Sequence, residues 1–295
     1  MDKLKGIIPP MITPLKGNDE LDREGAVRLV EHMLKGGVHA LFILGTTGEA
    51  QSLTYNLRYE FVELVLKQVA GRVPVLVGVT DVCIERVRDR YRALGDMKGI
   101  DGIVSTVPYY SAVNQEEIYT FYNEIANFSA RPVYLYDLPV VTKSPTTAAT
   151  VKKLWKNSNI KGIKSGNLVL HRTLLRSQER PGDFVQMYSD LDSFDIAYGY
   201  GIDKNLDGMF SCTPATAKRM YDALTRGDRQ TAATALDEIL ALRDYFVATG
   251  TLMPTYTYAM NLLGCEGNFG MDYQKAPTPE QKATVAAMLK EMGEI

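Results

Sequence analysis

The sequence is short of the features that mark several protein classes. Three cysteines, Cys83, Cys212 and Cys265, are spread over 295 residues. An odd, widely spaced set offers neither a disulfide framework nor a clustered metal site, and suits reduced thiols in a cytoplasm. His32, His39 and His171 form no metal-spaced pair, and HExxH and CxxC are absent. There is no GxSxG elbow. Charge of one sign is also lacking: 33 Lys and Arg face 35 Asp and Glu, a net charge of -2. No basic excess exists to hold a phosphate backbone, so nucleic acid is not expected as a partner. The longest apolar runs, such as Ala40–Leu44 and Val73–Val79, fall far short of the ~18 residues that span a bilayer. The first residues carry no apolar signal-peptide core, so a cytoplasmic protein without membrane partners is expected.

What is present is an alternation. Short apolar runs of strand length occur at Gly6–Met11, Ala40–Leu44, Val75–Val79, Gly102–Val107, Val133–Tyr136, Ile160–Lys164, Phe184–Tyr188 and Leu206–Ser211. Longer amphipathic segments lie between them. Arg23–Lys35 places Val27, Val30 and Leu34 on one helical face, and Leu57–Val69 does so with Leu57, Phe61, Leu64 and Val65. Strands alternating with helices imply a parallel sheet, and eight such units in ~250 residues imply a closed (β/α)8 TIM barrel of the α/β class. The rival, an open doubly wound sheet, usually carries a glycine-rich phosphate turn, and neither GxGxxG nor GxxxxGK[ST] occurs. After Ser211 the pattern is purely helical: Pro214–Thr225, Arg229–Thr249, Met253–Leu263 and Thr278–Met292. The chain is therefore divided into a barrel over 1–225 and a C-terminal helical extension over 226–295.

Barrel enzymes carry their chemistry at the C-terminal ends of the strands. The second run ends in Gly45-Thr46-Thr47-Gly48-Glu49. Two glycines and two hydroxyls beside exposed amides suit a carboxylate or other small anion; a plain strand-to-helix turn is the alternative. In the fifth run Tyr134 and Tyr136 share a face, so Tyr136 points into the barrel near its mouth, as a proton carrier or as filling. In the sixth, Ile160, Gly162 and Lys164 share a face, while Lys161 lies near the solvent-facing start of the strand. Enclosure disfavours the ammonium form of an inward Lys164, and a neutral amine attacks carbonyls to form a Schiff base. The alternative is a lysine that reaches solvent or pairs with a carboxylate. Pro108-Tyr109-Tyr110, after the fourth run, reads as a binding wall, an interface or ordinary packing.

Gly45-Thr-Thr-Gly-Glu49, Pro108-Tyr-Tyr110, Tyr136-x-x-Pro139 and Gly162-Ile-Lys164, with Thr13-Pro14 and Gly208-Met-Phe-Ser211, resemble the dihydrodipicolinate synthase/N-acetylneuraminate lyase family in order and spacing, over nearly the whole chain. The resemblance implies a class I aldolase-type lyase on a (β/α)8 barrel, needing no metal or organic cofactor. It casts Lys164 as the lysine that forms an imine with pyruvate or another 2-oxo acid, and Tyr136 as a proton relay. Thr46 and Thr47 become the holders of the 2-oxo-acid carboxylate, Thr46 also joining the relay. Phe210 matches a position whose backbone carbonyl lies near the imine. Tyr110 resembles a tyrosine donated across a subunit interface, in an assembly that is usually a homotetramer built as a dimer of dimers.

Departures bear on the second substrate. Val141 stands where synthases usually place an arginine that holds a carboxylate. Asp137 replaces the usual asparagine, Asp190 stands where many members have glycine, and the segment Ser165-Gly166-Asn167 is short. A carboxylate at Asp137 suits sugar hydroxyls. The expected substrate is therefore a 2-oxo acid of the sugar-acid or sialic-acid type, with Gly45 and Asp137 in its binding site and Thr142 or Lys143 as a displaced anion contact. The alternatives are a 4-hydroxy-tetrahydrodipicolinate synthase, condensing pyruvate with aspartate semialdehyde, and a barrel that binds such acids without turning them over.

Overall fold

A computed structural model of the chain describes residues 4–17, 20–267 and 273–295. Its strands are β1 (Gly6–Ile7), β2 (Leu41–Ile43), β3 (Val75–Gly78), β4 (Gly102–Thr106), β5 (Val133–Asp137), β6 (Ile160–Ser165), β7 (Val185–Tyr188) and β8 (Lys204–Asn205). A hairpin of Leu15–Lys16 against Glu20–Leu21 is separate from these. Contacts group the chain into two units: Met1–Lys5 with Pro74–Leu206, and Gly6–Val73 with Asp207–Ile295.

In the first unit, β3 through β8 each pair in parallel with the next in sequence order. Helices Ile84–Ala93, Gln115–Phe128, Ala148–Leu154, Leu168–Leu175 and Phe194–Gly199 occupy the intervals. Every residue of β3, β4, β5 and β7 is buried. That two-faced burial is what a parallel sheet covered by helices requires, and it explains runs such as Val75-Leu-Val-Gly78. Three of these helices, Gln115–Phe128, Ala148–Leu154 and Leu168–Leu175, are capped by the side chain of the residue before them. Asn114 and Glu117 form a reciprocal capping box before Gln115–Phe128, which buries Ile118, Phe121, Tyr122 and Ile125. Asn167 accepts the Leu170 N–H at 2.9 Å and so starts helix Leu168–Leu175 directly after β6. One side chain thus serves both as loop and as cap, which accounts for the shortness of that connection.

In the second unit, the segment that follows β1 runs parallel to β2: Phe42 N–H donates to the Pro9 carbonyl at 3.0 Å and Met11 N–H to the Phe42 carbonyl at 2.8 Å. Helices Arg23–Lys35, Tyr55–Val69, Pro214–Arg226, Arg229–Ala248, Leu252–Leu262 and Pro279–Glu291 complete it.

Three expectations need correction. The run Gly6–Met11 is a strand only over Gly6–Ile7, because Pro9 and Pro10 have no N–H to give a ladder. The buried stripe of Arg23–Lys35 is Ala26, Leu29, Val30 and Met33, with Val27 and Leu34 half-buried on its flank; likewise Val62 and Val69, and not Leu64, are buried on Tyr55–Val69. The apolar run Leu206–Ser211 is not the eighth strand. That strand is Lys204–Asn205, paired with Met187 and Tyr188. The Asp207 carboxylate accepts the Met209 N–H at 2.9 Å, and this local bond turns Gly208–Ser211 into a 3-10 helix.

Candidate active site

The first unit builds its interior in two layers. Tyr134 is flanked by glycines on both neighbouring strands: a Cβ at Gly102 would lie 2.4 Å from the Tyr134 ring, and one at Gly162 would lie 2.9 Å from it. The ring fills the space that two missing side chains leave, and Gly162 of the Gly162-Ile-Lys164 motif is required for that reason. Two residues further along each strand, on the same faces, stand Tyr136 and Lys164. They are register partners across β5 and β6. Lys164 is 6% exposed and Tyr136 7%, and the Lys164 Nζ lies 3.8 Å from the centroid of the Tyr136 ring. The inward lysine read from alternation is thus inward in the structure. Lys161, on the same strand, reaches the surface and pairs with Asp183.

Behind this pair the polar groups partner one another, apart from Gln186 Oε1, which is buried without a hydrogen-bond partner among the described residues. Asp137, which follows Tyr136, is buried; its Oδ1 accepts the Thr146 N–H at 2.9 Å and its Oδ2 the Ser165 hydroxyl at 2.8 Å. Ser165, which follows Lys164, also accepts the Asn167 N–H at 3.0 Å through Oγ. His171 is fully buried; its Nε2 lies 2.9 Å from the Ser165 carbonyl and its Nδ1 3.0 Å from the Gln186 amide nitrogen. Gln186 Nε2 also donates to the His171 carbonyl. The amide nitrogen can only donate, so Nδ1 accepts and Nε2–H donates. Burial holds the His171 pKa down at about 4. Tyr122, on helix Gln115–Phe128, donates to the Ser105 carbonyl at 3.0 Å, with the Tyr136 carbonyl at 3.3 Å; burial, reinforced by the Asp137 charge, pushes its hydroxyl far above the usual phenol range. Sequence reasoning named none of Ser165, His171, Gln186 and Tyr122 as part of the site. Apart from the Ser165–Asn167 bond, the partners cited for them lie 6 to 28 residues away in the chain, beyond any local motif.

The other predicted residues of this unit lie elsewhere. Tyr110 stands out in solvent at 89% exposure. It is Tyr109, half-buried, that faces Asp81, Arg86 and Arg90, burial raising its pKa. Val141 is 44% exposed. Lys143 donates to the Val140 carbonyl at 2.8 Å and the buried Thr142 hydroxyl to the Leu138 carbonyl at 3.2 Å. The Asp190 carboxylate accepts from Ser193 at 2.9 Å and lies 3.3 Å from the Tyr188 hydroxyl.

The second unit shapes the Gly45–Glu49 turn. Thr46 is exposed and Thr47 half-buried. The positive φ angles belong to Leu44 (57°) and Glu49 (48°), not to the glycines. The glycines serve close approach instead. A Cβ on Gly45 would lie 2.6 Å from the Phe42 ring and one on Gly48 2.8 Å from the Met11 carbonyl oxygen. The Gly48 carbonyl in turn accepts from Thr13 at 2.9 Å. Thr47 Oγ1 would be 3.3 Å from a Cβ on Gly208, so this turn packs on the 3-10 helix that contains Phe210. Phe210 is fully buried, and the Gly208 carbonyl accepts from Tyr256. Glu49 contributes an acid that the sequence did not single out. Its Oε1 is buried without a hydrogen-bond partner among the described residues, and burial pushes its pKa up to about 7.

Among the described residues, no three His, Cys, Asp or Glu side chains are grouped so as to hold a metal ion, and no helix is long and apolar enough to cross a membrane.

A buried lysine, preceded by Gly162-Ile, thus stands over a tyrosine at the ends of adjacent parallel strands. Over residues 3–290 the chain matches the dihydrodipicolinate synthetase family. It belongs to that family. It is 32% identical over 297 residues to a 4-hydroxy-tetrahydrodipicolinate synthase of Moorella thermoacetica, covering 97% of this chain and 98% of the relative. The solved dihydrodipicolinate synthase of Bacteroides thetaiotaomicron superposes with a TM-score of 0.87 at 29% identity, covering 99% of both chains. That of Thermotoga maritima does so with 0.89 at 23%, covering 99% of this chain and 100% of its own. The fold is accordingly the (β/α)8 barrel with a C-terminal helical extension that the alternation implied, and the protein is an enzyme of the class I aldolase-type lyases, as expected.

Proposed function

We propose that this family member joins or cleaves carbon–carbon bonds through a Schiff base between Lys164 and pyruvate. The observation that carries this reading is the enclosed Lys164 amine 3.8 Å from the centre of the Tyr136 ring. The neutral amine adds to the C2 carbonyl of pyruvate, and the tetrahedral adduct loses water to give an imine. Once protonated, the imine accepts the electron pair released when a C3 proton or a C3–C4 bond is lost, giving an enamine. That enamine adds to an aldehyde, or is protonated when the reaction runs as cleavage. Tyr136 carries protons to and from these atoms. In the same reading Thr46 and Thr47 hold the pyruvate carboxylate, the Phe210 carbonyl lies at the imine, and the exposed Tyr110 enters the relay of a neighbouring subunit in a cytoplasmic homotetramer. The lysine supplies the electron sink, so no metal or organic cofactor is invoked.

Incubation with pyruvate, reduction with borohydride and intact-mass measurement test this. A stable adduct that maps to Lys164 is the expected outcome, and an unmodified protein under saturating pyruvate overturns it.

The relatives favour aspartate semialdehyde as the acceptor: those at about 30% identity over nearly the whole chain are 4-hydroxy-tetrahydrodipicolinate synthases. That reading takes precedence over the sugar-acid lyase expected from sequence. The lyase stands as a second reading because of one observation: apolar, exposed Val141 cannot hold a carboxylate. Asp137 adds nothing to it, since both its oxygens are taken by Thr146 and Ser165. Turnover of pyruvate with aspartate semialdehyde, against pyruvate release from a panel of 2-oxo sugar acids, separates the two.

A further inference from the structure

We infer that Asp137 is a positioning residue: its carboxylate ties the end of the strand that carries Tyr136 to the end of the strand that carries Lys164, and so sets the spacing of phenol and amine. This rests on the Schiff-base reading above.

The geometry is a closed bracket. Asp137 follows Tyr136 and Ser165 follows Lys164, and these two pairs are in register across β5 and β6. The carboxylate bonds the Ser165 hydroxyl at 2.8 Å and the Thr146 N–H at 2.9 Å. Ser165 is in turn fixed from three further directions. Its carbonyl accepts from the Ser189 N–H at 3.1 Å and from His171 at 2.9 Å, and its Oγ accepts the Asn167 N–H at 3.0 Å. The backbone bonds of a parallel ladder fix strands along their length, but the last residues have no further rung to hold them. Here side chains supply that rung, one residue beyond the reacting pair. A buried acid used in this way is not available to substrate, which distinguishes the bracket from a substrate-binding role for Asp137.

Misplacing reacting groups by about 1 Å costs on the order of 100-fold in rate. Ser165→Ala and Asp137→Ala should each lower kcat and the rate of borohydride trapping with pyruvate by roughly 10- to 100-fold. KM for pyruvate should change little, because the carboxylate holders are elsewhere. The double variant should be no slower than the worse single one, as expected of residues that act as a unit. Asp137→Asn keeps an oxygen for Thr146 and a polar atom for Ser165, and should retain activity within about threefold of the parent. Circular dichroism and thermal melts confirm that each variant is folded at the assay temperature. Folded alanine variants that trap pyruvate at the parental rate overturn the inference. So do effects of the two that multiply in the double variant, or an Asp137→Asn as slow as Asp137→Ala. If the parent protein itself traps no pyruvate, it is the Schiff-base reading that fails. Trapping in the parent with any of these contrary outcomes isolates failure to the bracket.

Discussion

The Lys164 amine lies over the face of Tyr136, its register neighbour on the adjoining strand, with both side chains more than nine-tenths buried. The ring excludes water from one side of the amine. The nucleophile and proton carrier proposed above answer to separate substitutions. Lys164→Ala should abolish borohydride-trapped adduct and turnover together. Tyr136→Phe keeps the ring beneath the amine and removes only the hydroxyl, so it should still trap pyruvate while turnover falls by about 10²- to 10⁴-fold. Mass spectrometry and steady-state kinetics on the two variants check this.

Gly162 has no room for a methyl group. Its Cβ would lie 2.5 Å from the Val185 carbonyl oxygen, a backbone atom of the next strand that cannot swing aside. Gly162→Ala should destabilise the fold by about 1–3 kcal/mol, the range for overpacked cores. A thermal melt reads this directly, and an unchanged Tm contradicts it.

Acid stability should depend on His171. Its pKa is about 4 in the folded chain against an ordinary 6.5. The unfolded chain therefore binds the proton more readily between those values, and stability falls as pH drops from 6.5 to 4. The full effect of this one group is about 3 kcal/mol. Denaturant unfolding of the parent and of His171→Gln at pH 7 and pH 4.5 should show a smaller acid loss in the variant. His32, also held at about 4 by burial, contributes in the same direction.

Glu49 acts with the opposite sign. Its folded pKa of about 7 lies above the ordinary 4.5, so the fold favours the neutral acid and loses stability as pH rises from 4.5 through 7. Glu49→Gln removes that cost. The variant should melt higher than the parent at pH 8 and at nearly the same temperature at pH 4.5.

What was legible in the sequence is what periodicity controls. Alternation along β6 placed Lys164 inward and Lys161 outward, and the pairing of Tyr134 with Tyr136 followed from the same rule. What was not legible depends on groups that meet only after folding. The bond between Asp137 and Ser165 joins residues 28 apart, and no local pattern distinguishes a buried acid with two donors from one that waits for substrate. The helix face of Arg23–Lys35 was read one step around because Val27 and Leu34 are as apolar as the residues that are buried. The eighth strand was misplaced for a related reason: an apolar run suits a strand, but a single aspartate, Asp207, bonded to the next turn makes a tight helix of it. Gly45 and Gly48 are required because neighbouring atoms leave them no volume, which no local pattern shows.

Tyr134 is the floor on which the Lys164–Tyr136 pair stands. With glycines on either side, the ring fills the layer one step below Lys164 and Tyr136; a shorter side chain there would leave a void beneath the pair, and a longer one has no space between the two strands. Val140 and Val141, exposed at 72% and 44%, carry no such constraint and can be exchanged at little cost to the fold.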